Sequence, residues 1–498
     1  MPNHVDVLIV GAGISGISAA YYLQKECPTK SVAILERRDA IGGTWDLFRY
    51  PGIRSDSDMY TLGFAFKPWE EAKAIADGPS ILKYVRETAR ENGIDKKINF
   101  GCRVVAAHWS SEEALWTVEV ERTQTGETEF WTCNFFSVCA GYYNYDNGYT
   151  PSFPGREQFN GKFIHPQHWP EDLDYAGKRV VVIGSGATAV TIVPEMAKKA
   201  AHVTMLQRSP SYVMSHPSQD WIANGLRKIL PAKLCYGLIR WRNIILQLAF
   251  FKLSRGRPKA MKKKLIEASR AELPEGFPVE KHLTPAYNPW EQRLCIVPDG
   301  DLFKVISDGD ASIVTDHIET FTADGLTLKS GETLDADIIV SATGLDLQVL
   351  GGADLYVDDR KIEPGDLMTY RGMLYSDVPN MSVTFGYTNA SWTLKADLTS
   401  EFLCRLINHM DDIGAVAATP RVKDNEVEKE PFLDFSSGYF QRAEDRLPKQ
   451  GSKKPWRLNQ NYALDILALR YSKLDDGILE FTMMDETAVA SEIAAAAE

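Results

Sequence analysis

The feature that most constrains this chain of 498 residues is a glycine-rich loop between a buried strand and a helix, which occurs twice. The first copy follows the apolar run VDVLIV and places Gly11, Gly13 and Gly16 at the spacing G-x-G-x-x-G. The next apolar run, SVAILE, ends at Glu36. In a Rossmann unit such a loop approaches a pyrophosphate, and the acid accepts hydrogen bonds from a ribose. The sequence therefore predicts a dinucleotide site here rather than a glycine-rich turn without a ligand.

The second copy lies in KRVVVIGSGATAVTIVPEM, where Gly184, Gly186 and Ala189 form G-x-G-x-x-A. Its following strand, HVTMLQRSP, ends in Arg208 and Ser209 instead of an acid. A guanidinium pairs with a 2′-phosphate, whereas an acid would repel it. The position of Arg208 at the strand end favours this role over that of a solvated surface charge, so the second loop is predicted to bind NADP in preference to NAD.

The different strand ends assign FAD to the first loop and NADPH to the second, with electrons passing from nicotinamide to flavin. The expected fold is α/β, with two Rossmann-like dinucleotide-binding domains. Two further strand-like runs, FFSVCAGYY and ADIIVSATG, end in small residues and are interpreted as the crossings between the domains. The predicted division is 1–146 and 343–498 for the FAD domain, 147–210 and 290–342 for the NADPH domain, and 211–289 for a helical insertion.

The predicted insertion has basic and apolar residues at helical spacing, and strand signals vanish until EQRLCIVPDGDLF. Its most apolar run, Asn243–Leu253, follows Arg240 and Arg242. The run is too short to cross a membrane, which takes about 20 apolar residues. A buried or lid helix is favoured over contact with a membrane surface, which stays open.

Bulk composition excludes several classes of protein. The formal net charge of −12 argues against a nucleic-acid partner, although a local basic site remains compatible with it. Seven scattered cysteines without a C-x-x-C pair predict no disulfide framework, zinc ribbon or redox dithiol, and favour a cytoplasmic location. No signal peptide is expected, since VDVLIV runs directly into the glycine loop. Flavoproteins that reduce disulfides need a cysteine pair beside the flavin, and this sequence predicts none. The electrons of the reduced flavin are therefore expected to go to oxygen or to a partner protein.

A third motif lies between the first crossing and the second Rossmann strand. It has the pattern F-x-G-x-x-x-H-x-x-x-W at Phe159, Gly161, His165 and Trp169. His165 and His168 suggest a metal site, but no third ligand stands nearby, so no metal is predicted. We instead interpret the motif as a linker in which the glycine permits a turn, the aromatic rings pack on the domains and His165 hydrogen-bonds backbone.

This linker motif, followed by Pro170, is similar to the fingerprint of class B flavin-dependent monooxygenases, and specifically of their Baeyer–Villiger branch. The stretch GGTWDLFRYPGIRSD matches that branch's second fingerprint, [A/G]-G-x-W-x4-[F/Y]-P-[G/M]-x3-D. Its fixed positions are Gly43, Trp45, Tyr50, Pro51, Gly52 and Asp56. The resemblance implies that Gly43, Thr44, Trp45 and Asp56 contribute to the flavin site, and that Trp45, Tyr50 and Pro51 cover the flavin ring or simply pack beside it.

In that family NADPH reduces FAD, and oxygen then adds at flavin C4a. The resulting peroxyflavin converts ketones into esters or lactones, and its protonated form oxidises sulfur. The resemblance therefore implies a ketone or sulfide substrate and molecular oxygen. Two alternatives stay open: a sulfur- or nitrogen-oxygenating enzyme with little ketone activity, and an NADPH/FAD redox protein that oxygenates nothing.

The resemblance also implies the catalytic residues. The family's active-site arginine aligns with Arg293 in NPWEQRLC, and its partner carboxylate aligns with Asp56. A fixed guanidinium stabilises developing negative charge; an ordinary interdomain salt bridge is the alternative. Many relatives carry lysine before this arginine, where this chain has Gln292, so Arg208 is expected to carry most of the preference for NADPH.

The C-terminal part contributes one more candidate segment, GYTNASWTLKAD. The resemblance places Asn389, Ser391 and Trp392 near the flavin or the substrate, while a helix start around Ser391 is the structural alternative. The final run, SEIAAAAE, is expected to be a frayed end.

Overall fold

The computed structural model describes residues 3–292, 294–424, 426–433 and 437–483. Arg293 and the run SEIAAAAE lie outside the described residues. In chain order the strands are β1 (Asn3–Val10), β2 (Val32–Glu36), β3 (Ile98–Phe100), β4 (Cys102–Ser110), β5 (Leu115–Arg122), β6 (Thr128–Val138), β7 (Tyr143–Gly148), β8 (Lys162–Ile164), β9 (Arg179–Ile183), β10 (His202–Gln207), β11 (Val213–His216), β12 (Cys295–Pro298), β13 (Ala311–Thr315), β14 (Ile318–Thr322), β15 (Gly325–Leu328), β16 (Thr333–Asp335), β17 (Ile338–Ser341), β18 (Leu345–Leu347), β19 (Asp354–Val357), β20 (Arg360–Ile362), β21 (Thr369–Tyr370), β22 (Leu374–Tyr375), β23 (Met381–Val383), β24 (Ala415–Pro420), β25 (Lys429–Pro431), β26 (Lys449–Gly451) and β27 (Leu479–Met483). The helices are α1 (Ile14–Glu26), α2 (Thr44–Leu47), α3 (Met59–Leu62), α4 (Gly78–Glu91), α5 (Ala187–Ala197), α6 (Trp221–Leu226), α7 (Ala232–Gly256), α8 (Pro258–Ala271), α9 (Val279–His282), α10 (Asp301–Ser307), α11 (Trp392–Ile413), α12 (Gly438–Arg442) and α13 (Tyr462–Arg470).

The larger sheet has nine strands in the order β20-β19-β4-β5-β6-β1-β2-β3, with β23 beside β6. Strand β1 lies parallel to both β2 and β6. All five residues of β2 are buried, as expected for a central strand of a parallel sheet covered on both faces. Helix α1 packs against α11, which brings the C-terminal part of the chain onto the first Rossmann unit.

The second sheet has five strands in the order β13-β10-β9-β17-β8, and every pairing in it is parallel. Helix α5 connects β9 to β10 and packs against β10, which completes a β-α-β unit. The α/β class with two Rossmann-like units is thereby confirmed. We propose the division into two cofactor domains given above, since the first sheet draws on residues before 139 and after 353, and the second on residues between 161 and 342.

The two predicted crossings occupy equivalent places beside the two glycine loops. Gly11 has φ +101°, and a Cβ added to it would lie 2.7 Å from the carbonyl oxygen of Cys139, just after β6. Gly184 has φ +141°, and a Cβ there would lie 2.4 Å from the carbonyl oxygen of Ala342, just after β17. Only glycine combines this backbone conformation with so close an approach, so each loop is fixed against the segment that leaves its own sheet.

The predicted insertion is not purely helical. Helices α6 to α9 lie within it, but Val213–His216 forms the strand β11, which pairs in parallel with β12. The expectation that strand signals vanish after Ser211 was wrong at this point. The strand is short and its partner Cys295–Pro298 lies about 80 residues later, so its stability depends on a non-local pairing that the local pattern does not show.

A buried arginine, Arg240, holds the long helix α7 against α3 and α11. Arg240 donates to the carbonyl oxygens of Tyr60 and Gly63, each at 2.7 Å. It also contacts the carboxylate of Asp397 on α11 at 3.4 Å. Burial raises the pKa of Asp397 to about 6, and the charge of Arg240 opposes that rise. An internal ion pair thus fixes the position of α7 over the FAD-side core.

Candidate active site

One cavity of about 1430 Å³ is lined by both glycine loops, by the segment that follows Gly42, and by α7. Pockets for single small ligands usually measure about 300–1,000 Å³. The cavity therefore has room for more than one ligand, as a site that holds two dinucleotides side by side requires.

At the first loop, two stretches of backbone meet without side chains between them. A Cβ added to Gly43 would lie 3.0 Å from the Cα of Gly13. Gly13 is the N-cap of α1, and no side chain caps the first amides of that helix. Gly16 packs inward, since a Cβ there would lie 1.8 Å from the carbonyl oxygen of Gly11. The uncapped helix end and the bare backbone suit the pyrophosphate of FAD.

Glu36 ends β2 with its carboxylate buried at the wall of the cavity. One oxygen accepts from the backbone N–H of Ala12 at 2.7 Å, and the other accepts from that of Arg38 at 2.9 Å. Burial raises the pKa of Glu36, and these two backbone hydrogen bonds oppose the rise. Each carboxylate oxygen has further acceptor capacity, which fits the hydroxyls of a ribose.

The GGTW segment turns at Gly43, which has φ +56°, and continues as α2 with Thr44 and Trp45 on the cavity wall. The segment is held by Asp46, a buried carboxylate that the sequence did not single out. It accepts hydrogen bonds from Arg38, Arg49 and Arg86. A carboxylate that receives three guanidinium groups fixes the backbone around it, which preorganises the flavin side of the cavity.

The end of that segment reaches the second Rossmann unit. Tyr50 and Asp56 line the cavity, whereas Pro51 is not among its lining residues. Burial raises the pKa of Tyr50 to about 12; a hydrogen bond from Thr188 of α5 lowers it, and the nearby Asp56 carboxylate adds to the rise. Gly52 also lies against α5, since a Cβ there would lie 3.1 Å from the carbonyl oxygen of Thr191. The second fingerprint therefore bridges both cofactor loops.

The second loop repeats the arrangement of the first. Gly186 is the N-cap of α5, again without a side-chain cap, and a Cβ added to it would meet nothing within 4 Å. Both Gly184 and Gly186 line the cavity, while Ala189 is fully buried under the helix. This loop leaves open space beside free amides, which fits a second pyrophosphate.

The strand end after this loop carries the predicted phosphate-binding residues. Arg208 and Ser209 line the cavity, and both are exposed. The backbone carbonyl of Ser209 accepts a hydrogen bond from the hydroxyl of Ser185 at 3.0 Å, which ties the strand end to the glycine loop. Gln292 also lines the cavity. An accessible guanidinium at this point can pair with a 2′-phosphate.

His165 fastens the linker to the second crossing. Its Nδ1 accepts from the backbone N–H of Gln167 at 3.2 Å, so its Nε2–H donates to the carbonyl oxygen of Gly344 at 3.1 Å. Burial lowers the pKa of His165, which keeps the ring neutral. A Cβ added to Gly148 would lie 2.0 Å from the ring. The imidazole therefore acts as a structural clamp.

The other motif residues pack as the linker interpretation predicts. Phe159 lies edge-on to Phe321, with ring centroids 6.2 Å apart, and Trp169 packs on the core of the second sheet. A Cβ on Gly161 would lie 2.4 Å from the ring of Phe159. His168 contacts the carbonyl oxygen of Asp146 at 2.9 Å. Within the part of the chain that the structure describes, no cluster of three potential metal ligands occurs.

The comparisons with known proteins agree with this geometry. A family model described as flavin-binding monooxygenase-like matches residues 4–227. The FAD-containing monooxygenase EthA of Mycolicibacterium smegmatis is 57% identical over 483 residues, which cover 97% of this chain and 98% of that protein. EthA of Mycobacterium tuberculosis is 55% identical over 482 residues, with the same coverage. This chain belongs to the family of FAD-containing monooxygenases.

The resemblance of the two fingerprints to flavin-dependent monooxygenases is thus confirmed. The runs YPGIRSDSDMYTLGF, YYNYD, HPQHWPEDLDY, NPWEQRLC and GYTNASWTLKAD also resemble the mycobacterial ethionamide-activating enzyme, in agreement with the two mycobacterial relatives.

Solved structures of Baeyer–Villiger monooxygenases share the fold of this monooxygenase. The open crystal structure of cyclohexanone monooxygenase has a TM-score of 0.75 at 20% identity, and the likeness covers 96% of this chain and 100% of that one. A complex of OTEMO with FAD and NADP has a TM-score of 0.74 at 22% identity, covering 97% and 100% of the two chains.

The sequence left two interpretations of the C-terminal candidates of the monooxygenase: a position near the flavin or substrate, and the start of a helix. Some of these residues fit the first and one fits the second. Asn389 and Trp392 line the cavity, and the indole N–H of Trp392 donates to the hydroxyl of Ser15 at 2.7 Å. Ser391 is the N-cap of α11, so the helix start lies where the structural alternative put it. Its hydroxyl hydrogen-bonds that of Thr61 at 2.6 Å and is buried away from the cavity.

Trp290 is a cavity residue that the sequence did not reveal. Its φ of +70° is rare for a bulky residue. The indole packs edge-on against Phe250 and Phe251 of α7, and its buried N–H has no hydrogen-bond partner among the described residues. A strained backbone and an unpaired donor at a cavity wall are typical of a ligand contact. The only indication in the sequence was its position three residues before Arg293, which the family resemblance identifies as the active-site arginine.

Proposed function

We propose that this monooxygenase binds FAD at the first glycine loop and NADPH at the second, and uses O₂ to convert ketones into esters or lactones. We include oxidation of sulfides in the proposal. The observation that carries it is the single cavity that reaches both uncapped helix ends and also includes Asp56 and Gln292 in its wall. A flavin and a nicotinamide bound along these loops would share one cavity with a substrate.

In this scheme bound FAD, once reduced by NADPH, supplies the oxygen-activating chemistry that the resemblance implies. The protein holds the reactants and stabilises negative charge. Gln292 and Leu294, the chain neighbours of Arg293, both line the cavity together with Asp56. We propose that Arg293 would stabilise negative charge that develops on the bound reactants, since a fixed guanidinium in a water-poor site is effective at this task. We propose that Asp56 orients the guanidinium of Arg293.

The remaining wall of the cavity favours an apolar substrate. Leu62, Ile75, Leu246 and Phe250 line it, and Trp290 adds an aromatic surface with a free N–H donor. Apolar walls exclude water, and the absence of water protects reactive intermediates from hydrolysis and from unwanted proton transfer. A ketone carbonyl is an acceptor that such a donor can orient.

The test is a product analysis of the purified holoenzyme with NADPH, air and an equimolar ketone and thioether. We expect both ester and sulfoxide. Sulfoxide without ester would establish the sulfur-oxygenating alternative, and NADPH oxidation without any oxygenated product would establish the redox protein.

The catalytic assignment has its own test. Arg293→Ala should lose ester formation by at least about a hundredfold, in line with the removal of one charge-stabilising group, while FAD remains bound. Gln292→Ala is the matched control, since it changes the neighbouring cavity residue and should retain ester formation. Ester formation by Arg293→Ala at a rate close to that of the control would remove Arg293 from the mechanism.

A further inference from the structure

Helix α7 presents an apolar stripe to solvent. Leu234, Leu238, Trp241 and Ile245 follow one another at spacings of four, three and four residues, which places them on one face of the helix. These side chains are between 46% and 60% exposed. The opposite side of α7 already packs on the protein through residues such as Tyr236 and Ile239. The exposed stripe is therefore a second apolar face, which a water-facing helix normally lacks.

Neighbouring elements extend this stripe. Trp221 at the start of α6 is 79% exposed, and Ile229 is 76% exposed. Tyr462 of α13 contacts Trp241, with ring centroids 6.0 Å apart, and the same helix exposes Leu467. We use the term apolar face for the exposed residues of α6, α7 and the turn between them: Trp221, Ile222, Ile229, Leu234, Leu238, Trp241, Ile245, Leu246 and Leu253. Contiguous apolar surface of this kind marks an interaction site.

The charge of this region is opposite to that of the rest of the chain. Residues 221–270 contain thirteen lysines and arginines but a single acid, Glu267, which gives a formal charge of +12. Arg240, Arg242 and Arg270 pair with acids outside the segment, namely Asp397, Asp220 and Glu280, which leaves a formal +9. Because the whole chain carries −12, the remainder carries −24. Exposed lysines in the region include Lys233, Lys252 and Lys259. An apolar stripe with flanking lysines and arginines is the composition of helices that lie in an anionic membrane interface.

The apolar face also borders the cavity. Trp221, Ile222 and Leu246 belong to the face and line the cavity as well. Arg242 and Phe250 continue the same wall inward. The mouth of the cavity therefore opens among the exposed apolar side chains, so that whatever covers the face also covers the entrance.

We propose that the protein docks on anionic lipid bilayers through the apolar face, and that apolar substrates pass from the bilayer into the cavity beneath it. Docking is peripheral, since none of the helices in the described ranges is long and apolar enough to cross a membrane. A second copy of the chain is a poorer occupant, because face-to-face pairing would bring two regions with an excess of lysine and arginine together. The passage of substrate rests on the proposed function, whereas docking does not.

Docking is tested by co-sedimentation of the full-length holoenzyme with phosphatidylcholine vesicles, with and without about 30% phosphatidylglycerol. We expect binding to the anionic vesicles that weakens on the order of tenfold between low and physiological salt, because the basic residues act through a screened potential. Equal binding to both vesicle types, or binding to neither, overturns the proposal. Self-association of the chain without sedimentation assigns the face to a second copy and overturns it too.

Two double variants locate the surface. Leu238→Asp/Ile245→Asp changes exposed positions that do not line the cavity, and Lys233→Glu/Lys252→Glu reverses two exposed charges. Each should reduce binding by at least about tenfold. The matched controls are Phe130→Asp and Lys329→Glu, exposed residues of other elements, which should bind as the unchanged protein does. An unchanged urea midpoint verifies folding; equal losses in variants and controls overturn the assignment.

The route of the substrate is tested with one water-soluble ketone and one long-chain ketone dissolved in vesicles. Leu238→Asp/Ile245→Asp should turn over the soluble ketone normally and lose at least about fivefold on the vesicle-bound ketone, because only the second depends on docking. Equal rates on the vesicle-bound ketone would overturn delivery from the bilayer while leaving docking intact. Absence of any ketone turnover in the unchanged enzyme would instead contradict the proposed function.

Discussion

The Nε2–H of His165 donates to the carbonyl oxygen of Gly344 across 179 residues of chain, at a distance of 3.1 Å. This bond joins the linker to the segment by which the chain leaves the second sheet. Gly344 lines the cavity, and Gly148, against which the imidazole packs, ends β7, which follows the first crossing and pairs with β18 directly after Gly344. A motif that looks catalytic from its histidines thus has His165 hydrogen-bonded to backbone, and we propose that it acts by holding that backbone in place.

His165→Ala is expected to impair oxygenation about tenfold while FAD stays bound, because it removes a buried hydrogen bond that positions the crossing and not a group that touches the flavin loop. The unfolding free energy should fall by about 0.5–1.5 kcal/mol, since the Gly344 carbonyl loses one of its two donors and keeps the backbone N–H of Tyr149 at 3.2 Å. His168→Ala, which removes only a contact to the Asp146 carbonyl, is the control. The rate of oxygenated product formation measures the first effect, and urea unfolding measures the second. Equal losses in His165→Ala and His168→Ala would contradict the role of His165 as a clamp.

Arg240→Met should destabilise the protein by about 3–5 kcal/mol near pH 8, because it leaves the buried carboxylate of Asp397 without its cation. The loss should be smaller at pH 5. The folded-state pKa of Asp397 is already raised to about 6 by burial, and it rises further without Arg240. Between the unfolded-state pKa near 4 and this higher value the folded state keeps the proton, so stability falls as pH rises.

Urea unfolding at pH 5 and pH 8 measures this effect. Arg240→Met/Asp397→Asn is the control, since it removes the buried charge and should abolish most of the pH dependence. A pH-independent loss in the single variant would show that the carbonyl contacts of Arg240, rather than its ion pair, dominate.

Gly184→Ala and Gly186→Ala should separate folding from cofactor binding. At Gly184 a methyl group would lie 2.4 Å from the Ala342 carbonyl oxygen at φ +141°, so the unfolding free energy should fall by about 1–3 kcal/mol. At Gly186 nothing lies within 4 Å, so stability should be unchanged while the KM for NADPH rises. Thermal unfolding and steady-state kinetics test the pair; equal destabilisation would contradict the assignment.

Arg208→Ala should raise the KM for NADPH by about 10- to 100-fold and leave that for NADH nearly unchanged, because only NADPH has a 2′-phosphate for the guanidinium to bind. Lys199→Ala, an exposed cation of the same Rossmann unit, should alter neither value. Steady-state kinetics with both nucleotides decide the matter. An equal rise for NADH would show that Arg208 does not recognise the 2′-phosphate.

The parts of the fold that could be predicted are those in which a few consecutive residues determine the geometry. Gly11 and Gly184 each sit between a β-branched run and a helix, so the loop and its ligand class follow from local pattern. The helical spacing in α7 is local in the same sense. The sequence favoured a buried or lid helix and left contact with a membrane surface open, because periodicity shows that a helix has an apolar face and does not show whether anything covers it.

The contacts that hold the site together are mostly non-local and were missed. Asp46 accepts from Arg86 of α4, which lies 40 residues away in the chain, and Arg240 meets Asp397 from 157 residues away. Neither pairing leaves a signal in the surrounding residues. The strand β11 was missed for the same reason. Trp290 lay in a quoted motif, but its positive φ depends on packing against α7.

Charge is distributed unevenly along the chain, with cations in excess in one segment and acids in excess elsewhere. The segment 221–270 carries +12 and the remainder −24, so the field of an anionic surface attracts one side of the protein while it repels the others. In the proposed docking, the protein would therefore be turned toward the bilayer before it touches it. We therefore expect a protein with an isoelectric point near 5.4 to adsorb at neutral pH to cation exchangers as well as to anion exchangers, with a different side of the protein bound to each resin.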